Sequence, residues 1–342
     1  MPTCEDRPRV VVYGLGGTIA MAETGAGGVV PALSASQLLQ AVPGLSETGI
    51  DIDVEDYRRM PGASLDLTDI TALAAHINKR LASGTVDGIV VTQGTDTIEE
   101  TSYLLDVLNT APQPIVITGA MRNPTLAGAD GPANLLAAIQ TAAHPSARQL
   151  GALVVLADEI HAASRVRKTH TTSGSAFQSP NGGPLGYLVE GIPRVHNQPT
   201  HRYALQRTAP VTHPRVALVT MCLGDDGVLL DGLAERSDGV VIAAFGVGHV
   251  PQRLLPMLDD LAGRVPAILA SRAGAGSGLA TTYAFPGSEQ DLLHRGWIRA
   301  GFLDPLKARV LLWTLLATGH DHSEITEAFA AAGGYTHPAS TP

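Results

Sequence analysis

Apolar residues recur along this chain in two alternating rhythms. Short β-branched runs at 10–13, 88–91, 114–118 and 151–156 read as strands buried on both faces of a parallel sheet. Residues 50–54 alternate apolar and acidic positions, which predicts one more short strand. Between these runs the spacing turns helical. Ser34-Ala35-Ser36-Gln37 reads as a capping box before Leu38, Leu39 and Val42. Ile70, Leu73, Ala74, Ile77 and Leu81 share one helix face, Leu104, Leu105 and Leu108 another, and a further helix spans 134–143. The alternation predicts an α/β fold whose larger N-terminal domain is a doubly wound, mostly parallel sheet.

The pattern changes after residue 160. Residues 179–186 are turn-rich and read as an irregular lobe, and the stretch to 214 is proline-bearing with few apolar runs. The expected division is a catalytic domain over 1–192, a linker over 193–214 and a smaller α/β domain over 215–342. That second domain offers strands at 216–220, 240–244 and 267–270, and a helix started by Asp304-Pro305 that ends before Gly319. It holds no hydroxyl–acid–lysine cluster, so packing and a pocket wall are its expected contribution.

Composition narrows the function classes. The 342 residues suffice for two cores. A net charge of −9 excludes a general nucleic-acid binder, which needs basic patches against phosphates. No apolar run reaches membrane-span length, and the first residues lack the apolar core of a secretory signal, so a cytoplasmic protein is expected. Cys4 and Cys222 lie far apart and read as free thiols. The twelve histidines show no metal-ligand spacing, and His320-Asp321-His322 reads as a solvated turn; no metal and no cofactor is expected.

Three strand ends carry candidate chemistry. The first run empties into Gly14, Gly16 and Gly17, then Thr18. A dinucleotide fingerprint needs a third glycine where Ile19 stands, which weakens a dehydrogenase reading. In Gly62-Ala63-Ser64-Leu65-Asp66, Ser64 is either a helix cap or a contact for a ligand carboxylate at a helix N-terminus. The third turn, Gln93-Gly94-Thr95-Asp96-Thr97, pairs hydroxyls with a carboxylate ahead of a helix. There threonine caps with first-turn acids are the bland reading. In the basic run, Arg165 and Arg167 read as a solvated face, and Lys168 as a candidate proton carrier. A threonine hydroxyl needs a base to attack, and Thr95, Asp96 and Lys168 supply a relay for Thr18. Gly17 and its neighbours offer amides for an oxyanion, and Asp96 is alternatively a partner for a ligand ammonium.

These residues resemble the bacterial-type L-asparaginase family. The resemblance rests on Gly-Gly-Thr-Ile-Ala at 16–20, Gln-Gly-Thr-Asp-Thr-x-Glu-Glu-Thr at 93–101 and Lys-Thr-His-Thr-Thr at 168–172. Ala-Asp-Gly-Pro-Ala-Asn at 129–134, Gly-Pro-Leu-Gly-Tyr at 183–187 and Pro-x-Lys-Ala-Arg at 305–309 extend it over nearly the whole chain. It implies hydrolysis of the side-chain amide of L-asparagine, sometimes glutamine, through an acyl-enzyme on Thr18. It implies that Thr95, Asp96 and Lys168 form the second catalytic set, that Asp96 holds the substrate ammonium, and that Ser64 holds its carboxylate, with Gly17 and Thr95 also at the substrate. It further implies a homotetramer built as a dimer of dimers, with no cofactor.

The chain departs from the family pattern in three places. The loop stretch Gly27-Gly28-Val29-Val30-Pro31 lacks the family's tyrosine, Val29 standing at its place, which leaves Lys168, a water or another tyrosine such as Tyr283 to assist Thr18. Leu65 replaces a frequent glutamine, and His249 an asparagine common in periplasmic-type members. Two rivals are a non-catalytic amino-acid-binding paralogue and the asparaginase-like subunit of a tRNA-dependent amidotransferase. The latter predicts an N-terminal extension and a basic face, against an acidic chain.

Overall fold

The run Val10-Val11-Val12 lies inside strand Arg9–Gly14, every residue of which after Arg9 is buried. Both edges of that strand are paired in parallel, by Asp51–Asp56 on one side and Gly88–Thr92 on the other. The computed structural model describes residues 7–23, 29–31, 33–200, 202–206 and 209–335. The chain divides into two compact units, Met1–Gln206 and Arg207–Pro342.

The first unit carries an eight-stranded sheet. Its spatial order is Ile192–Val195, Gly186–Val189, Glu159–Ala162, Ala152–Leu156, Ile115–Thr118, Gly88–Thr92, Arg9–Gly14 and Asp51–Asp56. The last five run parallel, while the first three pair antiparallel at the opposite edge. Alternation sends Val10, Val12, Val90 and Val116 to one face, against Leu38 of helix Ala35–Gln40 and Leu135 and Ile139 of helix Gly131–Ala143. Tyr13 points to the other face and meets His76 of helix Leu67–Ala82 edge-on, at 5.5 Å. The sheet is therefore covered on both sides, as a parallel sheet requires.

Helix starts follow their caps, with one reassignment. Ser34 and Gln37 form the expected box. At the next helix the cap is Asp66, whose carboxylate accepts from the Asp69 amide (2.8 Å) while Asp69 accepts from the Asp66 amide (3.3 Å). Ser64 does not cap. It stands two residues upstream, exposed, in the single 3₁₀ turn Gly62–Ser64.

Two other segments differ from expectation. Residues 193–206 lie in the first unit, since Ile192–Val195 is its edge strand and Arg202 donates to buried Asp106 at 2.6 Å. Arg165 and Arg167 do not form a solvated face. Arg165 Nη1 is enclosed without a hydrogen-bond partner among the described residues, beside Gly182, and Arg167 Nε turns inward to 4.0 Å from the buried Glu99 carboxylate. Of the glycine- and alanine-rich stretch Glu23 to Gly28, expected as a loop, Glu23 ends strand Met21–Glu23 and the rest lies outside the described residues; that strand pairs antiparallel with Val29–Pro31.

The second unit is a four-stranded parallel sheet, Val216–Thr220, Gly239–Ala244, Ala267–Ser271 and Ile298–Arg299 in that order. The last strand is two residues long and leaves no periodic trace in the sequence. Asp304 caps helix Pro305–Ala317 and also accepts from fully buried Lys307 at 2.7 Å. Asp321 and Glu324 box the start of helix His322–Ala332, so the His-Asp-His triplet is a helix entrance. Among the described residues no group of three His, Cys, Asp or Glu is placed to hold a metal, and no helix is long and apolar enough to cross a membrane.

His161, fully buried in strand Glu159–Ala162, shares a proton with Ser179 Oγ at 2.9 Å. Burial pushes its pKa down to about 4. Unfolded histidine titrates near 6.5, so between those values the unfolded chain binds the extra proton and acidification destabilises the fold. The slope is at most about 1.4 kcal/mol per pH unit, reaching about 3 kcal/mol near pH 4. Burial raises neighbouring Glu159, which acts in the opposite direction, losing stability as pH rises. His161→Gln removes only the histidine term. Urea unfolding from about pH 7 to about pH 4.5 should show a shallower acid loss in this variant than in wild type; equal slopes would count against the assignment.

Candidate active site

The parallel strands release their turns at one edge of the first sheet, and there the glycines meet. Gly16 and Gly17 have φ of 95° and 86°, angles that other residues rarely adopt. A Cβ on Gly17 would lie 2.0 Å from the Gly94 nitrogen. One on Gly62 would lie 3.0 Å from the Gly94 carbonyl oxygen, and one on Gly119 would lie 2.6 Å from that of Gln93. Four turns thus touch backbone to backbone, with no room for side chains. Hydrogen bonds stitch them: the Leu15 amide to Thr92 O (2.9 Å), the Met60 amide to Leu15 O (3.1 Å), and the Tyr57 and Arg58 amides to Gly14 O.

Around this junction the hydroxyls are presented. Thr18 opens the 3₁₀ turn Thr18–Ala20 directly after Gly17 and is half-buried. Thr95, buried, and Asp96, exposed, follow Gly94 in the turn Thr95–Thr97. Glu99 and Glu100 stand in the first turn of helix Ile98–Leu108 as the capping reading expects, but Thr97 at its N-cap makes no side-chain cap bond.

Lys168 arrives from a distant part of the chain. It lies in the two-residue strand Arg167–Lys168, opposite Phe177–Gln178. Its ammonium donates to Thr95 Oγ1 and to Asp96 Oδ1, each at 2.9 Å. Charge-assisted bonds of this kind are stronger than neutral ones and fix donor direction. With lysine as donor, the Thr95 oxygen is an acceptor there and its own proton points elsewhere. The loop beyond is closed by the Thr169 amide to Ala176 O (2.7 Å) and by two amides on His170 Nδ1. Asp96, Lys168, Thr169, His170 and Thr171 line a cavity of about 350 Å³. Of these, Thr169, His170 and Thr171 were not singled out by spacing alone.

A larger cavity, about 750 Å³, lies between strand Asp51–Asp56 and helix Leu67–Ala82. Its acids are already paired, Asp53 with Arg80 and Glu55 with His76, and it holds none of the strand-end hydroxyls. Chemistry, not size, selects the smaller one.

Leu65 and His249, two of the departures, occupy plain settings. Leu65 is half-buried, its amide donating to Gly62 O at 3.2 Å. In the second unit His249 donates or accepts at Glu289 (3.1 Å) and meets the ring of Tyr283 edge-on at 5.0 Å. Burial opposes the Glu289 charge, yet the Tyr283 and Thr282 amides and His249 hold that carboxyl below its ordinary pKa.

Comparison with known proteins shows the family. Residues 9–201 match the family described as "Asparaginase, N-terminal", and 215–329 match "Glutaminase/Asparaginase C-terminal domain". The chain is 36% identical over 332 residues to a "Probable L-asparaginase" of Deinococcus radiodurans, covering 94% of this chain and 97% of that one. It is 32% identical to "L-asparaginase 2" of Escherichia coli K12, covering 94% and 92%, and 32% identical to a "Glutaminase-asparaginase" of Pseudomonas fluorescens, covering 94% and 89%. The crystal structure of a "Probable Cytoplasmic L-asparaginase" from Campylobacter jejuni superposes with a TM-score of 0.84 at 32% identity, covering 95% of this chain and 100% of that one.

The glycine junction makes a graded prediction. Gly17→Ala meets both a backbone conformation essentially reserved for glycine (φ 86°, ψ −169°), costing about 1–3 kcal/mol, and overpacking, costing about 1–3 kcal/mol. Its total loss should exceed about 2 kcal/mol. Gly94 has an ordinary φ of −66°, and its added Cβ would be no closer than 3.1 Å to a neighbour. Gly94→Ala should therefore cost clearly less, under about 1.5 kcal/mol. Denaturant midpoints of the two variants check the order.

Proposed function

Since the chain belongs to the asparaginase family, with both of the family's domains matched in order, we propose that it hydrolyses the side-chain amide of L-asparagine to L-aspartate and ammonia. The observation that carries the mechanism is Lys168 bonded at once to Thr95 and Asp96, beside a glycine contact that leads into Thr18. In this reading Thr18 Oγ attacks the amide carbon, and amides near Gly17 receive the developing oxyanion. The hydroxyl proton passes through Thr95 to Lys168 acting as the neutral amine, and the ammonium so formed gives a proton to the leaving nitrogen, so the carbon–nitrogen bond breaks as the ester to Thr18 forms. Water then cleaves that ester by the same path in reverse.

Binding uses the two charged ends of the amino acid. Asp96 is exposed and takes the α-ammonium, which competes there with Lys168. Ser64, released from capping by Asp66, takes the α-carboxylate. No metal or organic cofactor enters the reaction. The cytoplasmic location belongs to the same proposal, supported by the likeness to the Campylobacter jejuni protein described as cytoplasmic; the homotetramer, as a dimer of dimers, rests on the family resemblance alone.

Thr18→Ala should fold normally by circular dichroism and release ammonia from asparagine at least about a thousandfold more slowly. Retained turnover in that variant would remove Thr18 from the role of nucleophile. Wild-type protein that binds aspartate but releases no ammonia from asparagine would favour the non-catalytic paralogue instead.

A further inference from the structure

The second hydroxyl of the Thr-Asp-Thr turn is unused by the reaction, and its bonding is unusual. Thr97 occupies the N-cap position of helix Ile98–Leu108, where a threonine side chain normally accepts from the first-turn amides. It makes no such bond. Its Oγ1 lies instead 3.1 Å from Gly62 O, thirty-five positions away in the chain, in the turn that carries Ser64. A helix cap worth about 1 kcal/mol is set aside for a contact between two strand-end turns.

The direction of this bond follows from its neighbours. The side-chain amide of Gln93 faces both Gly94 O, at 3.4 Å, and Thr97 Oγ1, at 3.3 Å. A backbone carbonyl only accepts, so the amide presents its NH₂ there and Thr97 Oγ1 is an acceptor toward it. The single hydroxyl proton of Thr97 is left for Gly62 O. Gly62 O then accepts twice, from Thr97 and from the Leu65 amide at 3.2 Å, which closes the turn around Ser64. Gln93 is fully buried, and its Oε1 has no hydrogen-bond partner among the described residues. A buried amide with an idle oxygen is costly as core filling, which argues for a specific task for its NH₂.

We propose that Gln93 and Thr97 are positioning residues that fix the separation between Ser64 and Asp96, and hence the fit of the two charged ends of the amino acid. This rests on the proposed roles of Ser64 and Asp96. Neither positioning residue touches the reacting atoms. Their loss therefore acts on binding of the amino acid and leaves the step at Thr18 nearly intact.

Thr97→Val keeps the shape and removes the proton. It should raise KM for asparagine about five- to tenfold, weaken aspartate binding in calorimetry by the same factor, and leave kcat within about twofold. Thr97→Ser should restore both constants, and Gln93→Met should shift KM in the same direction by less. Amide exchange at Leu65 should quicken in Thr97→Val, since its turn is no longer pinned. A fall in kcat with unchanged KM, or unchanged KM and aspartate affinity, overturns the proposal. Should wild-type protein release no ammonia, the functional reading falls by itself. The clamp is then judged by Leu65 exchange, which sustains it if faster in Thr97→Val and overturns it if unchanged.

Discussion

The close approach of Gly17, Gly62 and Gly94 is the constraint on which the rest of the site depends. Parallel strands lie roughly 4.8 Å apart, and their turns would normally be spread further by side chains. Here the turns meet main chain on main chain, with an imagined Gly17 Cβ only 2.0 Å from the Gly94 nitrogen. That contact makes Thr18 and Thr95 successors to touching residues, although 77 positions separate them in the chain. No side chain fits between these loops, because a Cβ on Gly17 would run into the Gly94 main chain and one on Gly62 would press on the Gly94 carbonyl. The sheet beneath supplies rigidity: strands Arg9–Gly14, Gly88–Thr92 and Ile115–Thr118 are buried along nearly their whole length.

On this backbone junction the polar groups divide their work by distance from the contact. Thr97, held by Gln93 of its own turn, bonds turn to turn, whereas Lys168 reaches Thr95 from a segment that enters after the parallel strands end. The lysine needs an independent support, and it has one. Val166 is fully buried and its amide, like that of Arg165, donates to Ala162 O, so the chain is anchored two residues before the ammonium reaches Thr95. The inward turn of Arg167 toward Glu99 adds a second tether on the helix that follows Thr97. A lysine placed by two such restraints meets Thr95 from one fixed direction, as the proposed proton relay requires.

Most of this was legible where physics is local. Valine runs specify strands, Ser34 with Gln37 specifies a helix start, and a strand that ends in glycine and threonine marks a sheet edge able to hold a ligand. The reading of Ser64 stayed open because two residues, Ser64 and Asp66, each satisfy a cap pattern, and only the fold shows that Asp66 takes the amide. The inward placement of Arg165 and Arg167 is not legible in the sequence, because a charge run says nothing of the long-range partners, such as Glu99, that it will meet. The Ile192–Val195 edge strand was hidden by its proline, and Ile298–Arg299 by its brevity. The bond from Thr97 to Gly62 is a long-range event that no window of sequence contains.

The same geometry bears on the choice between asparagine and glutamine. The two differ by one methylene, which a pocket resolves by only about 1–3 kcal/mol. In the proposed reading both amino acids present identical charged ends to Ser64 and Asp96, so those contacts cannot discriminate. With Leu65 where an amide-bearing side chain is frequent, one polar means of adjusting the charged end is also missing. Discrimination must then come from the fixed span between the charged-end contacts and Thr18. That span is set on one side by the Thr97–Gly62 clamp and on the other by the Gly17–Gly94 contact. A rigid span favours whichever amide carbon reaches Thr18 without strain, and loosening the clamp trades that selectivity for tolerance of the longer side chain.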